Sequence, residues 1–181
     1  MFTQTTTYAK PLIIIHWLTA LCVLSAIGLG LYMSDLPVSP QRIKLYNWHK
    51  WLGMTALFLT LIRMGVRFAT PVPNMPDSMS KIQVLLAHFG HLGLYGLLLM
   101  VPLSGWLMSS AHGYSIQYLG VFAIPDLIAP NEHLASLFKT IHEVIAKIMI
   151  LLLLGHIGAA IKHQWIDHDN LLDRMRLFGK R

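Results

Sequence analysis

Four long apolar stretches constrain the fold of this chain. They cover roughly residues 11–33, 47–68, 84–110 and 141–163, and each is long enough to cross a bilayer as a helix with few charged residues. Of the 181 residues, 55% are hydrophobic and only 12% are charged, which is unlike an average soluble domain. The uncharged run from Pro11 to Ser34 is longer than the apolar core of a signal peptide, so we interpret it as a retained helix. The sequence therefore predicts an all-α, integral membrane four-helix bundle, with residues 1–181 forming a single domain.

The basic residues predict how this bundle is oriented. Four spans place both termini and the 63–81 connection on one side of the membrane. That side holds nine basic residues, namely Lys10, Arg63, Arg67, Lys81, Lys162, Arg174, Arg176, Lys180 and Arg181. The other side holds four, namely Arg42, Lys44, Lys50 and Lys139, while Lys147 falls inside the fourth span. The positive-inside rule predicts cytoplasmic termini. Because the basic residues are dispersed at helix ends, the net charge of +6 does not indicate nucleic-acid binding.

Two histidines of the fourth stretch, His142 and His156, lie fourteen residues apart. In a helix, fourteen residues return to within about 40° of the same face after a rise of roughly 21 Å, so one face presents imidazoles near both edges of the bilayer. Ionisable residues at such depths usually face the bundle interior and serve a function there. His16 matches His156 in depth, and His49 matches His142. These two pairs predict two bis-histidine haems b stacked across the membrane.

Other residues in the spans support this interpretation or leave alternatives open. Cys22 is the only cysteine, so covalent attachment through CxxCH is excluded and the haems are expected to be non-covalent. Arg63, fourteen residues after His49, is a candidate partner for a haem propionate or a snorkelling cytoplasmic arginine. His88 and His91 form an HxxH pair, for which hydrogen bonds to a propionate or quinone, or polar contacts between helices, are favoured over a metal site.

Glycines at helical spacing from these histidines would leave space for a porphyrin, although glycine is common in membrane helices generally. They are Gly30, Gly53, Gly155 and Gly158. The segment 111–137, which contains Gly113, Gly120, Pro125 and Pro130, is expected to cap the outer end with short helical or interfacial pieces.

Several local motifs resemble the bacterial cytochrome b561 family, and together they cover nearly the whole chain in order. They are IHWLTAL around His16, YNWHKWLG from Tyr46 to Gly53, LAHFGHLGLYGLLLMVPLSGW in span three, KTIHE around His142, and LGHIGAAIKH at the end of span four. The resemblance implies a multi-pass cytochrome of the bacterial inner membrane in which His16 and His156 ligate the cytoplasmic haem iron and His49 and His142 the periplasmic one. It also implies an oxidoreductase of the superoxide oxidase type, with superoxide as the donor and ubiquinone as the acceptor.

Residues at the two ends are candidates for handling these substrates. Lys50 and Lys139 stand next to the outer histidines and are candidates for steering superoxide, together with Arg42 and Lys44; the alternative is ordinary helix-end cations. His163, seven residues after His156, and Trp165 are candidates for a quinone site or for interface anchors.

A second class of function stays open from the sequence. The chain would then be a membrane anchor and electron conduit for a separate dehydrogenase or hydrogenase. A histidine-using transporter is less favoured, because Glu143 is the only carboxylate within the spans.

Overall fold

The computed structural model describes residues 7–76, 78–169 and 171–177. Its long helices are α1 (Lys10–Ser34), α2 (Pro40–Ala69), α3 (Lys81–Ala111) and α4 (Glu132–Lys162). A hairpin of two strands, β1 (Ile116–Tyr118) and β2 (Phe122–Ile124), lies between α3 and α4, and α4 is followed by a π-helical turn (His163–Asp167) and a 3-10 turn (Leu172–Met175). Four helices are long and apolar enough to cross a membrane, which confirms the predicted four-helix membrane bundle. Lys180 and Arg181, which entered the charge count, lie outside the described residues.

Polar side chains define where three of the helices begin. The side chains of Ser39, Ser80 and Asn131 each accept a hydrogen bond from a backbone N–H of the first turn that follows. Ser80 and Gln83 form a reciprocal capping box. Pro40 occupies the first position of α2, where a missing N–H costs nothing. These caps start α2 and α4 before the apolar stretches, so both helices extend beyond the predicted spans at the outer end.

The helices form two closely packed pairs, α1 with α2 and α3 with α4, and α2 also packs against α3 to join the pairs. The outward faces carry large exposed apolar side chains, such as Leu21, Leu92 and Leu151. A surface of this kind is expected where lipid takes the place of water. The bundle interior therefore lies between two helix hairpins.

The segment after α3 differs from the expectation of short helical pieces, because it forms an antiparallel hairpin in which Ile116 pairs with Ile124. Leu119 and Gly120 turn the chain with φ of 53° and 72°, and both positive values suit a type I′ turn. Ile116 and Ile124 are buried against Met54 on α2. The hairpin thus covers the outer part of the groove between α2 and α3.

The opposite end of the bundle is closed by the C-terminal segment. The indole N–H of Trp17 donates to the carbonyl of Met175 at 2.9 Å. The backbone N–H of Tyr8 donates to the carbonyl of Arg174 at 3.3 Å, and the Arg174 side chain donates to the carbonyl of Asn74. The start of α1, the α2–α3 connection and the C-terminal segment therefore meet at one end, as four spans require.

Candidate functional site

Each helix carries an interior stripe in which every seventh residue faces the same way. Seven residues return to within about 20° of the starting direction after a rise of about 10.5 Å. The stripes are His16, Val23 and Gly30 on α1; His49, Ala56 and Arg63 on α2; His91, Leu98 and Gly105 on α3; and His142, Met149 and His156 on α4. Their middle members pack into one apolar cluster of Val23, Ala56, Val101 and Met149, with Leu98 against it. This middle layer separates an outer level of side chains from an inner level.

The outer level brings His49 and His142 together, with their ring centres 6.1 Å apart and their planes at 82°. The Nδ1 atom of His49 is 2.9 Å from the carbonyl oxygen of Ala26, and Nδ1 of His142 is 2.9 Å from that of Val101. The hydroxyl of Ser104 also lies 3.1 Å from Nδ1 of His142. Each ring therefore donates through Nδ1 to a carbonyl and keeps Nε2 for a metal, as metal-ligating histidines commonly do.

Glycines allow both outer rings to pack against a neighbouring helix. A Cβ atom at Gly30 would stand 3.2 Å from Cε1 of His49, and one at Gly105 would stand 3.2 Å from Cε1 of His142. The expected position of Gly30 at the depth of the outer pair is confirmed. A Cβ atom at Gly53, Gly155 or Gly158 would meet nothing within 4 Å beyond its own chain neighbours and helix backbone, so these three glycines do not provide a close approach to another helix among the described residues.

The inner level brings His16 and His156 together, with ring centres 6.3 Å apart and planes at 67°. A third imidazole joins them, because the ring of His91 is 5.6 Å from that of His156. His88 and His91 each donate through Nδ1 to the carbonyl one turn earlier, at Val84 and Ala87. The spacing of seven residues from His91 to Leu98 and Gly105 is the signal that places His91 at this level.

The spacing of the imidazoles agrees with a haem held between two histidines. Two rings on opposite faces of the iron stand about 6.3 Å apart, since each metal–nitrogen bond is about 2.0 Å and each nitrogen lies about 1.15 Å from its ring centre. The His16–His156 and His49–His142 distances of 6.3 and 6.1 Å match this value. The His91–His156 distance of 5.6 Å is shorter than two such bonds require. The residues present therefore fit a haem at each level.

The two lysines considered for superoxide steering lie in different settings. Lys50 is half-buried, and its Nζ atom is 3.5 Å from the carbonyl oxygen of Tyr114, just before the hairpin. Lys139 is exposed on α4 and lies 3.9 Å from the carboxylate of Glu143. Lys147 falls inside the fourth span. It is exposed on the side of α4 that faces away from the bundle.

The residues considered for a quinone site are separated. His163 follows the last residue of α4 with helical dihedral angles, and its backbone N–H donates to the carbonyl of Ala159, so it continues the turn of α4 before the π-helical turn. His163 is buried, with Nδ1 2.6 Å from the carboxylate of Asp169, and it lines a cavity of about 230 Å³ at the inner end together with Gln83. Trp165 is 68% exposed and does not line this cavity. The structure therefore places His163 at this cavity and Trp165 away from it.

Comparison with known proteins identifies the family of this chain. Residues 7–177 match the family described as prokaryotic cytochrome b561. The chain belongs to this family. It is 34% identical over 161 residues to cytochrome b561 homolog 2 of Escherichia coli strain K12, covering 88% of this chain and 86% of that protein. It is 29% identical over 169 residues to cytochrome b561 homolog 1 of the same strain, covering 93% and 96%.

A third relative carries a more specific name. The chain is 30% identical over 162 residues to the probable superoxide oxidase CybB of Yersinia pestis, covering 89% of this chain and 90% of that protein. Membership of the cytochrome b561 family makes this chain a bacterial membrane protein of electron transport that binds b-type haem. The number of haems, their ligands and the substrates are matters for the proposal below.

The close approach of Gly30 to His49 predicts a selective effect on the outer level. In Gly30→Ala the new Cβ stands 3.2 Å from Cε1 of His49 in the present geometry, so the ring must shift and its hydrogen bond to Ala26 weakens. We expect a changed optical spectrum and weaker haem retention at the outer level only, and a stronger effect in Gly30→Val. Gly65→Ala is the control, because its Cβ would meet nothing within 4 Å. Spectra of both Gly30 variants identical to the parent's would contradict this role.

Proposed function

We propose that this cytochrome b561 transfers electrons across the bacterial inner membrane, from superoxide at the periplasmic face to ubiquinone near the cytoplasmic face. The observation that carries the proposal is the presence of two imidazole pairs at two levels, one on each side of a buried apolar layer. A chain built only to anchor a partner needs no such pair of levels. The function therefore rests on two haems in series within one chain.

The two haems are assigned to the pairs whose spacing fits them. His49 and His142 hold the outer haem through Nε2, since their Nδ1 atoms face carbonyl oxygens. His16 and His156 hold the inner haem. Both haems are non-covalent, because the sequence has one cysteine, Cys22, and no CxxCH motif.

The haems supply reversible one-electron chemistry when bound, and the protein supplies ligation, orientation and the exclusion of water. Val23, Ala56 and Met149 fill the space between the levels with apolar side chains. This layer keeps water and ions from crossing the bundle between the two levels. The chain can thus connect two redox reactions on opposite faces without joining the two aqueous phases.

The charge distribution supports the direction of insertion. The basic residues are concentrated at the end where α1 starts and the C-terminal segment packs, and the positive-inside rule assigns that end to the cytoplasm. The outer level with His49 and His142 then lies toward the periplasm. Superoxide is a small anion that does not readily cross the bilayer, so this face is where it reaches the protein.

The proposed reaction balances in atoms and electrons. Two superoxide anions each lose one electron and leave as two molecules of dioxygen. One ubiquinone takes up the two electrons and two protons and leaves as ubiquinol. Support for superoxide as the donor comes from the relative named as a probable superoxide oxidase and from basic side chains near the outer histidines.

His163 is the residue we propose at the ubiquinone site. It lies beyond His156 at the inner end and lines the cavity there, where its Nδ1 atom is held by Asp169. Because Nδ1–H of His163 donates to this carboxylate, Nε2 of the neutral ring can accept a hydrogen bond from a ubiquinol hydroxyl, and Nε2 of the protonated ring can donate one to a quinone oxygen. Trp165 is assigned to the membrane interface, because it is largely exposed near the end of the helix.

Histidine replacements test the haem assignment. His16→Ala and His156→Ala should each reduce the haem content from two to one per chain and remove the same spectral component. His49→Ala and His142→Ala should remove the other component. His91→Ala is the control and should retain two haems, since the spacing of His16 and His156 is closer to the value for two ligands of one iron. Loss of one haem in His91→Ala with retention in His16→Ala would overturn the inner assignment. Haem stoichiometry and low-temperature spectra provide the measurement.

Rapid mixing of the purified protein with superoxide tests the donor and the steering residues. The parent should be reduced by superoxide without a partner protein. Lys50 and Lys139 changed together to Gln should slow this reduction roughly 2–10-fold at low salt, because exposed positive charge raises the local concentration of an anion. Lys10 and Lys81 changed together to Gln provide a control with the same change in net charge at the opposite end. Equal rates in the two double variants would rule out steering.

Reoxidation by a short-chain ubiquinone tests the inner end. His163→Gln should leave reduction by superoxide unchanged and slow reoxidation by the quinone. Asp169→Asn should slow the same step, because the imidazole loses the carboxylate that orients it. A parent that binds two haems, is not reduced by superoxide and accepts electrons only from an added dehydrogenase would refute the proposed donor. It would favour the function of an electron conduit.

A further inference from the structure

The inner level carries a cation that the histidine pairs do not explain. Arg63 lies on the interior stripe of α2, seven residues after the buried Ala56, and at the depth of His16 and His156. At the outer level, the four stripes hold two histidines, His49 and His142, and two glycines, Gly30 and Gly105. The inner level is therefore the more polar of the two.

The Arg63 side chain lacks a partner for a buried donor. Its Nε atom is one of four buried side-chain nitrogen or oxygen atoms that find no hydrogen-bond partner in the described part of the chain. The other such nitrogen is Nε of Arg42. This residue lies on the same stripe of α2, seven residues before His49 and toward the outer end. None of the ion pairs among the described residues includes Arg63. A buried Nε–H of a half-buried arginine is costly to leave without a hydrogen bond, so an anionic acceptor is expected there.

A snorkelling role does not account for this geometry. A snorkelling arginine buries its stem and extends its guanidinium into the aqueous phase. The guanidinium carbon of Arg63 instead lies 5.3 Å from the ring centre of Tyr95 on α3, which holds the group against the bundle. Arg67, one turn further toward the inner end, is the residue that extends toward the N-terminal segment, where it lies 6.0 Å from the ring of Tyr8.

The inner haem would bring the missing acceptor. A b-type haem carries two propionate carboxylates at its edge, and a guanidinium forms its strongest hydrogen bonds with carboxylates, often two in parallel. We propose that Arg63 binds a propionate of the haem at the inner level, so that α2 ligates the outer haem through His49 and holds the inner haem through Arg63. This inference rests on the proposed function, because it requires a haem between His16 and His156.

Redox titration of the purified protein tests the proposal. Arg63→Gln should retain two haems per chain and lower the midpoint potential of the inner haem, identified as the component missing in His16→Ala. The direction follows because a nearby positive charge favours the reduced iron, and because a propionate without its cation favours the oxidised iron. Arg42→Gln is the matched control, since it removes a similar buried Nε from the same stripe at the other end. It should leave the inner potential unchanged.

Resonance Raman spectra distinguish a propionate contact from a general structural role. The propionate-bending band of the inner haem should shift in Arg63→Gln and stay in place in Arg42→Gln. If Arg63→Gln does not accumulate, Arg63→Lys tests the same propionate contact. Lysine keeps the positive charge but cannot form the bidentate hydrogen bonds of arginine. Its propionate band should shift while its potential falls less than that of the glutamine variant.

Other outcomes overturn the proposal. An unchanged inner potential and unchanged propionate bands in a variant with two haems would do so. A change confined to ubiquinone-dependent reoxidation would assign Arg63 to the quinone instead. If the parent binds one haem, or His16→Ala retains both, the proposed function fails first, and that result is obtained before any arginine variant is compared.

Discussion

The burial of imidazole rings between apolar helices is the constraint on which the rest of the structure depends. A polar group moved from water into an apolar setting without a hydrogen bond costs roughly 2–7 kcal/mol. At the outer level that cost is avoided by carbonyls of neighbouring helices, since His49 on α2 faces Ala26 on α1 and His142 on α4 faces Val101 on α3. Each ring is thus oriented by the helix with which its own helix packs most closely. The α1–α2 and α3–α4 pairs are units that each present an oriented imidazole to the other.

The seven-residue spacing along each helix arranges the histidines of these two helix pairs in two levels. Because α4 contributes His142 and His156 to different levels, its rotation about its own axis sets the position of both imidazoles at once. Met149, midway between them, packs with Val23 and Ala56, so the apolar layer fixes that rotation. A helix with a changed register would lose the central packing and both imidazole pairs together. The packing of the middle layer and the geometry of the histidines are therefore not independent features.

Much of this arrangement could be predicted from the sequence because it follows from helical arithmetic, whereas contacts between distant segments could not. The spans follow from apolar length, and the grouping of His16 with His156 follows from depth. The hairpin has strands of only three residues, and its turn at Leu119 and Gly120 lacks the Asn-Gly signal that marks such turns. The seven-residue spacing places His91 on the same face of α3 as Leu98 and Gly105, but the packing of α3 against α4 is what brings its ring to His156. The π-helical turn after α4 also has no signal in the sequence, and within it His163 is buried while Trp165 is exposed.

The asymmetry between the levels bears on the direction of electron flow. The outer histidines are flanked by Gly30 and Gly105, which bring uncharged backbone close to the rings, whereas the inner pair is flanked by His91 and Arg63. The reduction potential of a haem depends on the charge and hydrogen bonding around it, and a guanidinium in a medium of low dielectric constant favours the reduced form. With the proposed haems in place, the arrangement favours an electron at the inner level over one at the outer level. That preference runs from the face assigned to superoxide toward the face assigned to ubiquinone, so the polar residues of the inner level, contributed by α2 and α3, favour electron flow in that direction.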